Sequence, residues 1–110
     1  MDDRLDIPSV KLESPEGEEV RRALAAEQRA SMLSLLAKRA MNFDEIAAAL
    51  GISQPTASTH IRILEDAGLT ECEYTSTGRG FEKRYWVRFE SLNLELDPVS
   101  TESDESGATA

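Results

Sequence analysis

Sulfur and imidazole are scarce in this chain. One cysteine, Cys72, allows no internal disulfide, and with a single histidine, His60, on a different element there is no four-ligand zinc or arsenic site. Long apolar runs are missing too. Nothing approaches the roughly 18 residues that cross a bilayer, and the acidic N-terminus lacks the basic and apolar regions of a signal peptide. A cytoplasmic protein without a membrane partner is expected, and a lone thiol agrees with a reducing compartment. There is no Gly-rich phosphate loop, no legible paired-acid cleft and no nucleophile–base pairing beyond chance. The expectation is therefore no enzyme, no cofactor and no metal. Base is also in deficit, with 12 Lys and Arg against 21 Asp and Glu, a net charge of -9.

With 110 residues, 40% of them hydrophobic, the chain has enough for one small core and no second domain. Its best-marked stretch is Asn42 to Leu69. Asn42 can accept from first-turn amides while Glu45 reaches back to the Asn42 amide, so a helix begins near Phe43. Ile46, Ala49 and Leu50 share one face, and Gly51 supplies a left-handed end. Ser53 repeats the start signal, with Pro55 inside the first turn, and a second helix runs to about Ala67 before Gly68. Its apolar stripe is Ala57, Ile61 and Leu64. The remaining positions, Gln54, Thr56, Ser58, Thr59, His60 and Arg62, are hydrogen-bonding groups and one cation, a set able to read base edges and hold phosphates. A polar surface helix of some other helical domain is the bland reading of the same composition.

The words Asp44-Glu45-Ile46-Ala47-Ala48-Ala49-Leu50-Gly51-Ile52-Ser53-Gln54-Pro55-Thr56-Ala57-Ser58-Thr59-His60-Ile61 and Leu64-Glu65-Asp66-Ala67-Gly68-Leu69 resemble the helix-turn-helix of winged-helix transcriptional regulators of the arsenic-repressor-like class. With its flanks the likeness covers about residues 10 to 98. It implies an α+β, mainly α, winged helix-turn-helix fold that binds double-stranded DNA, expected as a homodimer. Metal-sensing members carry a cysteine pair on the first helix of this motif, but Met41 to Ile46 has none, so the likeness is to the subgroup without that site.

The chain in order divides into a flexible acidic end (1–9), the domain (10–98) and a disordered acidic tail (99–110). Val10 to Glu13 alternates like a half-buried strand. Ser14-Pro15 with Glu16, Glu18 and Glu19 starts a helix in which Gly17 is a small cost, and Val20, Ala23 and Leu24 form its inner face. Ala25-Ala26 contains no breaker, so periodicity alone permits one helix from Pro15 to Arg39; the resemblance implies two, joined near Ala26. Met32, Leu33, Leu35, Leu36 and Ala40 are too many for one stripe, which makes the second of these the centre of the core, with apolar surface left for a partner subunit. Ala40 to Asn42 fits the short first strand of a winged helix.

Past Gly68 the period changes to that of strands. Thr70 to Ser76 and Phe81 to Phe89 flank Thr77-Gly78-Arg79-Gly80, a hairpin that the resemblance makes the wing. Arg79 at its tip suits a minor groove or a phosphate, and Lys83, Arg84 and Arg88 suit backbone contacts; an ordinary solvated hairpin is the alternative. Leu92 to Leu96 alternates and stops at Asp97-Pro98. The resemblance implies that this strand pairs with Val10 to Glu13, within one chain or between two. His60 has no partner as a metal ligand, and a phosphate contact is preferred over a packed histidine. Cys72 is expected to be a buried small residue, its thiol pKa raised by Glu71 and Glu73.

Position eases the charge conflict. Residues 1–19 carry seven acids against two bases and residues 91–110 five acids and no base, leaving ten bases and nine acids in 20–90. DNA affinity is expected to be modest and strongly salt-dependent. The rival reading is a winged-helix protein-interaction module that does not bind DNA. The operator, the direction of regulation and any effector are not legible, and regulatory input must act on this one domain or on a partner.

Overall fold

The computed structural model describes residues 7–96. The acidic tail at 99–110, the stop at Asp97-Pro98 and most of the acidic N-terminal end fall outside them. The elements are β1 (Ser9–Lys11), α1 (Pro15–Leu24), α2 (Glu27–Lys38), β2 (Met41–Asn42), α3 (Phe43–Leu50), α4 (Gln54–Asp66), β3 (Thr70–Thr77), β4 (Gly80–Val87) and β5 (Asn93–Glu95). This is a winged helix-turn-helix.

Local chemistry sets most boundaries. Ser14 Oγ accepts from the Gly17 amide at 3.0 Å, with Pro15 at the first helical position of α1. The α1–α2 break, which the sequence leaves open, is made by Arg29. Its Nε donates to the Ala23 carbonyl at 2.7 Å and its Nη2 to the Arg22 carbonyl at 3.1 Å, so a cation from α2 binds the carbonyls at the end of α1. Gly17 is more than a small cost. It is buried, and a Cβ there would lie 2.1 Å from the Lys11 carbonyl oxygen and 2.6 Å from that of Leu12. Only glycine lets α1 rest on the turn that follows β1.

The core joins all four helices to the wing: Val20 and Ala23 of α1, Met32 and Leu36 of α2, Ile46 and Ala47 of α3, Ala57, Ile61 and Leu64 of α4, with Met41, Leu69 and Tyr85 from the strands and the turn before them. α2 packs against α1, α3, α4 and β4, the central place expected of it. Two expectations about faces need correction. On α3 the buried stripe runs Phe43, Ile46, Ala47 and Leu50 while Ala49 is exposed, because the Phe43 ring, 5.2 Å from that of Tyr85, turns the helix toward the sheet. On α1, Leu24 is 40% exposed, since the last turn overhangs the core.

β2, β4 and β3 form an antiparallel sheet in that order. The wing is longer than its sequence pattern suggests: Thr77 pairs with Gly80, so only Gly78 and Arg79 lie between the strands. β1 and β5 pair in parallel within the one chain, Val10 opposite Leu94, extended by the Asn93 amide donating to Pro8 O (2.9 Å) and the Leu12 amide to Glu95 O (2.7 Å).

Gly17→Ala, which in an ordinary helix interior stabilises by about 0.5–1 kcal/mol, is expected here to destabilise by about 1–3 kcal/mol through overpacking. Urea unfolding of the two proteins measures the sign directly.

Candidate nucleic-acid interface

Both joints of the α3–α4 unit are closed by hydrogen bonds. Asn42 Oδ1 accepts from the Glu45 amide (2.8 Å) while Glu45 Oε1 accepts from the Asn42 amide (3.0 Å), a complete capping box worth about 1 kcal/mol. Gly51 takes φ 67°, and the Ile52 amide returns to the Ala47 carbonyl at 3.0 Å, closing α3 and fixing the angle at which α4 leaves. Ser53 Oγ then accepts from the Thr56 amide (3.2 Å) and donates to Thr56 Oγ1 (2.9 Å).

With Ala57, Ile61 and Leu64 buried, α4 turns Pro55, Thr59 and Arg62 fully outward, flanked by exposed Gln54 and Thr56 and half-buried Ser58. Thr59 Oγ1 donates back to the Pro55 carbonyl at 3.1 Å, and Gln54 Nε2 donates to Asp44 of α3. Among the described residues the Arg62 and Arg79 guanidinium groups make no hydrogen bond or ion pair, so both point free cations outward. The Arg79 amide donates to Thr77 Oγ1 at 3.1 Å, which braces the wing tip.

Of the residues singled out from the sequence, His60 and Arg84 are tied most fully into the fold. His60 is half-buried against the start of α2. Arg29 Nη1 donates to its Nδ1 at 3.1 Å, and since arginine cannot accept, the ring proton is on Nε2 and donates to Gln28 Oε1 at 2.9 Å. Both ring nitrogens are thus engaged by α2. Burial, then the Arg29 charge, lowers the His60 pKa below its ordinary 6.5. Arg84 is held in a junction: its Nη2 donates to the Ala40 carbonyl (2.9 Å) and Glu45 Oε1 (3.1 Å), and its Nη1 pairs with Glu82 at 3.2 Å. Its charge is spent between two carboxylates. Glu45 in turn titrates below the usual range, first through the Asn42 amide and then through Arg84 and Arg39.

Lys83 lies along the wing with its ammonium 5.6 Å from the Tyr74 ring centroid and 5.3 Å from that of Tyr85, and its pKa is raised mainly by the bond to Tyr85. Arg88, offered as a backbone contact, pairs with Glu71 at 3.3 Å. The Cys72 thiol pKa is raised, but by burial and then Glu65 of α4; Glu71 and Glu73 stand on the opposite face of the sheet. Among the described residues no three His, Cys, Asp or Glu are grouped to hold a metal, and no helix is long and apolar enough to cross a membrane.

Sequence reasoning missed Arg29, Gln28, Asp44 and Glu82 as partners of these groups. Only Arg29 left a signal, as a cation in the first turn of a helix where acids are favoured.

The profile of bacterial regulatory proteins of the arsR family matches residues 26–71. A crystal structure of a possible transcriptional regulatory protein (fragment 1–100) from Mycobacterium bovis is 30% identical and superposes with a TM-score of 0.60 over 67% of this chain and 75% of that one. The chain belongs to the ArsR family. A solution structure from the same organism, of the homodimeric winged helix-turn-helix DNA-binding domain of Mb0332, a possible ArsR-family transcriptional regulator, is also 30% identical, with a TM-score of 0.61. This ArsR-family chain spans 65% of that domain's length and is itself covered over 67%. HlyU from Vibrio cholerae, 22% identical over 66% of this chain and 74% of its own, shares the fold with a TM-score of 0.54. No curated protein matches the sequence. ArsR-family proteins are transcriptional regulators.

The His60 node carries a pH dependence whose sign is fixed. The unfolded chain takes up a proton near 6.5 and the folded one only at lower pH, so this stability is intact above pH 6.5 and declines as pH falls from there toward the folded pKa. Thermal melting is expected to show a falling midpoint in that window, above the carboxylate range, and His60→Gln is expected to flatten it.

Proposed function

We propose that the protein is a cytoplasmic transcriptional regulator that binds duplex DNA sequence-selectively as a homodimer, with residues 10–98 as the DNA-binding domain. One observation carries the reading: the capped α3–Gly51–α4 unit of an ArsR-family chain holds Gln54, Thr56, Thr59 and Arg62 outward on one exposed helix surface. α4 enters the major groove, wide enough to take a helix, where Gln54, Thr56 and Ser58 meet base edges and Thr59 and Arg62 meet phosphates. Arg79 and Lys83 contribute from the wing. His60 and Arg84 act one step back, His60 by setting α4 against α2 and Arg84 by setting the wing against α3.

A second copy of the chain suits the apolar surface opposite the wing tip. Leu24, Leu33, Ala37, Val87, Phe89 and Leu92 line an open cavity of about 260 Å³. A related domain at 30% identity is homodimeric, and a two-fold dimer reads an inverted repeat with half-sites about one turn apart.

The test is an anisotropy titration against promoter fragments of the source organism at two salt concentrations. Selective, salt-weakened binding is expected, with Gln54→Ala relaxing the preference between sequences and Arg79→Ala weakening all sequences alike and lowering the salt slope by about 1. Both variants equal to the parent would remove these roles. Capture of one stoichiometric protein partner with no retained DNA would replace the reading with an interaction module. Leu24→Asp, which places a charge in the apolar surface, is expected to convert the dimer to monomer in sedimentation equilibrium while leaving the circular-dichroism spectrum unchanged.

A further inference from the structure

The two faces of the wing differ in chemistry. Cross-strand register sets Tyr74 beside Lys83 and Ser76 beside Phe81, on the face that continues outward from Cys72 and Tyr85. The hairpin's acids, Glu71, Glu73 and Glu82, occupy the other face, where Glu71 is paired with Arg88 and Glu82 with Arg84. Glu65 of α4 reaches the first face at its base, beside Cys72 and Tyr85. Beyond that base, in a chain of net charge -9, the outer half of this face holds Tyr74, Ser76, Phe81 and Lys83 and no acid, and the turn adds Arg79.

The aromatic side chains there lie outside the core among the described residues. Tyr74 is 69% exposed and Phe81 77% exposed, while the core ends at Tyr85. The Lys83 ammonium lies over the Tyr74 and Tyr85 rings, and Phe81 stands exposed between Lys83 and Arg79 along the hairpin. A single exposed apolar side chain is ordinary. Here it is bracketed by two cations on a strip from which every acid has been turned away, a pairing of apolar and positive surface that complements a polyanion.

We propose that this acid-free face is a minor-groove contact, in which Phe81 is an apolar wedge against deoxyribose and base edges while Arg79 and Lys83 hold the flanking phosphates. The inference rests on the duplex-DNA reading above and adds to it which face of the wing turns to the groove and which side chain enters.

The experiment uses the full chain and a fluorescein-labelled duplex that the parent protein has enriched from a random pool at low salt. Phe81→Ala is expected to bind on the order of 10-fold more weakly, whereas Phe81→Leu, which keeps an apolar wedge, stays within about 3-fold of the parent. Netropsin, a ligand that occupies A·T minor grooves, is expected to weaken the parent more than Phe81→Ala. Glu73→Gln, on the opposite face, is expected to leave affinity within about 2-fold. Phe81→Ala binding like the parent, with netropsin acting equally on both, would overturn the proposal while leaving the DNA reading intact. A fall in melting temperature matching the loss of affinity would make Phe81 a structural residue and overturn it as well. A parent protein that enriches no duplex would overturn both.

Discussion

One carboxylate, that of Glu45, joins the two halves of the recognition surface. The same Oε1 that accepts from the Asn42 amide and starts α3 also accepts from Arg84 of the wing strand. Asn42 repeats the connection from the other side, donating through Nδ2 to Glu82 while its Oδ1 caps the helix. The start of the helix-turn-helix and the height of the wing are thereby set by a shared group of four side chains. Arg84 and Glu45 keep 28% and 36% of their side-chain surface exposed, so each ion pair is partly screened and modest. What the group supplies is registration: α3 cannot shift along the sheet without breaking bonds at both.

Charge follows the same economy. The chain is acidic as a whole, and many of its bases are engaged internally: Arg29 at the end of α1, Arg84 between two acids, Arg88 on Glu71. Among the described residues, the cations without a hydrogen bond or ion pair include Arg62 on the outward side of α4 and Arg79 at the tip of the wing. An acidic protein with so few unpaired cations on these projecting elements gains little from non-specific attraction to phosphate, and its selectivity depends more heavily on contacts made by α4.

Features carried by residues close in sequence were legible before the structure. The capping box at Asn42 and Glu45, the left-handed Gly51, the Ser53 start, the alternation of the wing and the Ala57–Ile61–Leu64 stripe all appear where periodicity and cap chemistry put them. Features decided by distant residues were not. Nothing near Ala25 announces that Arg29 ends α1, and nothing near His60 announces that Gln28 and Arg29 will claim both ring nitrogens. Gly17 looked like a weak point of a helix because the carbonyls it must approach belong to the preceding turn. In the candidate site, Gln54, Thr56, Thr59, Arg62 and Arg79 lie exposed as residue type suggested. His60 and Arg84 had the right chemistry for phosphate, but tertiary partners of equal chemistry were closer.

The pairing of β1 with β5 reaches beyond architecture. Ser9 waits for Asn93, and Lys11 for Glu95, while everything between them is helix, turn and wing with partners nearer at hand. During synthesis the helix-turn-helix can assemble on the emerging chain, but β1 stays an open edge until β5 has cleared the ribosome. The two short strands therefore act as a clasp that closes last and, being shallow and long-range, opens first.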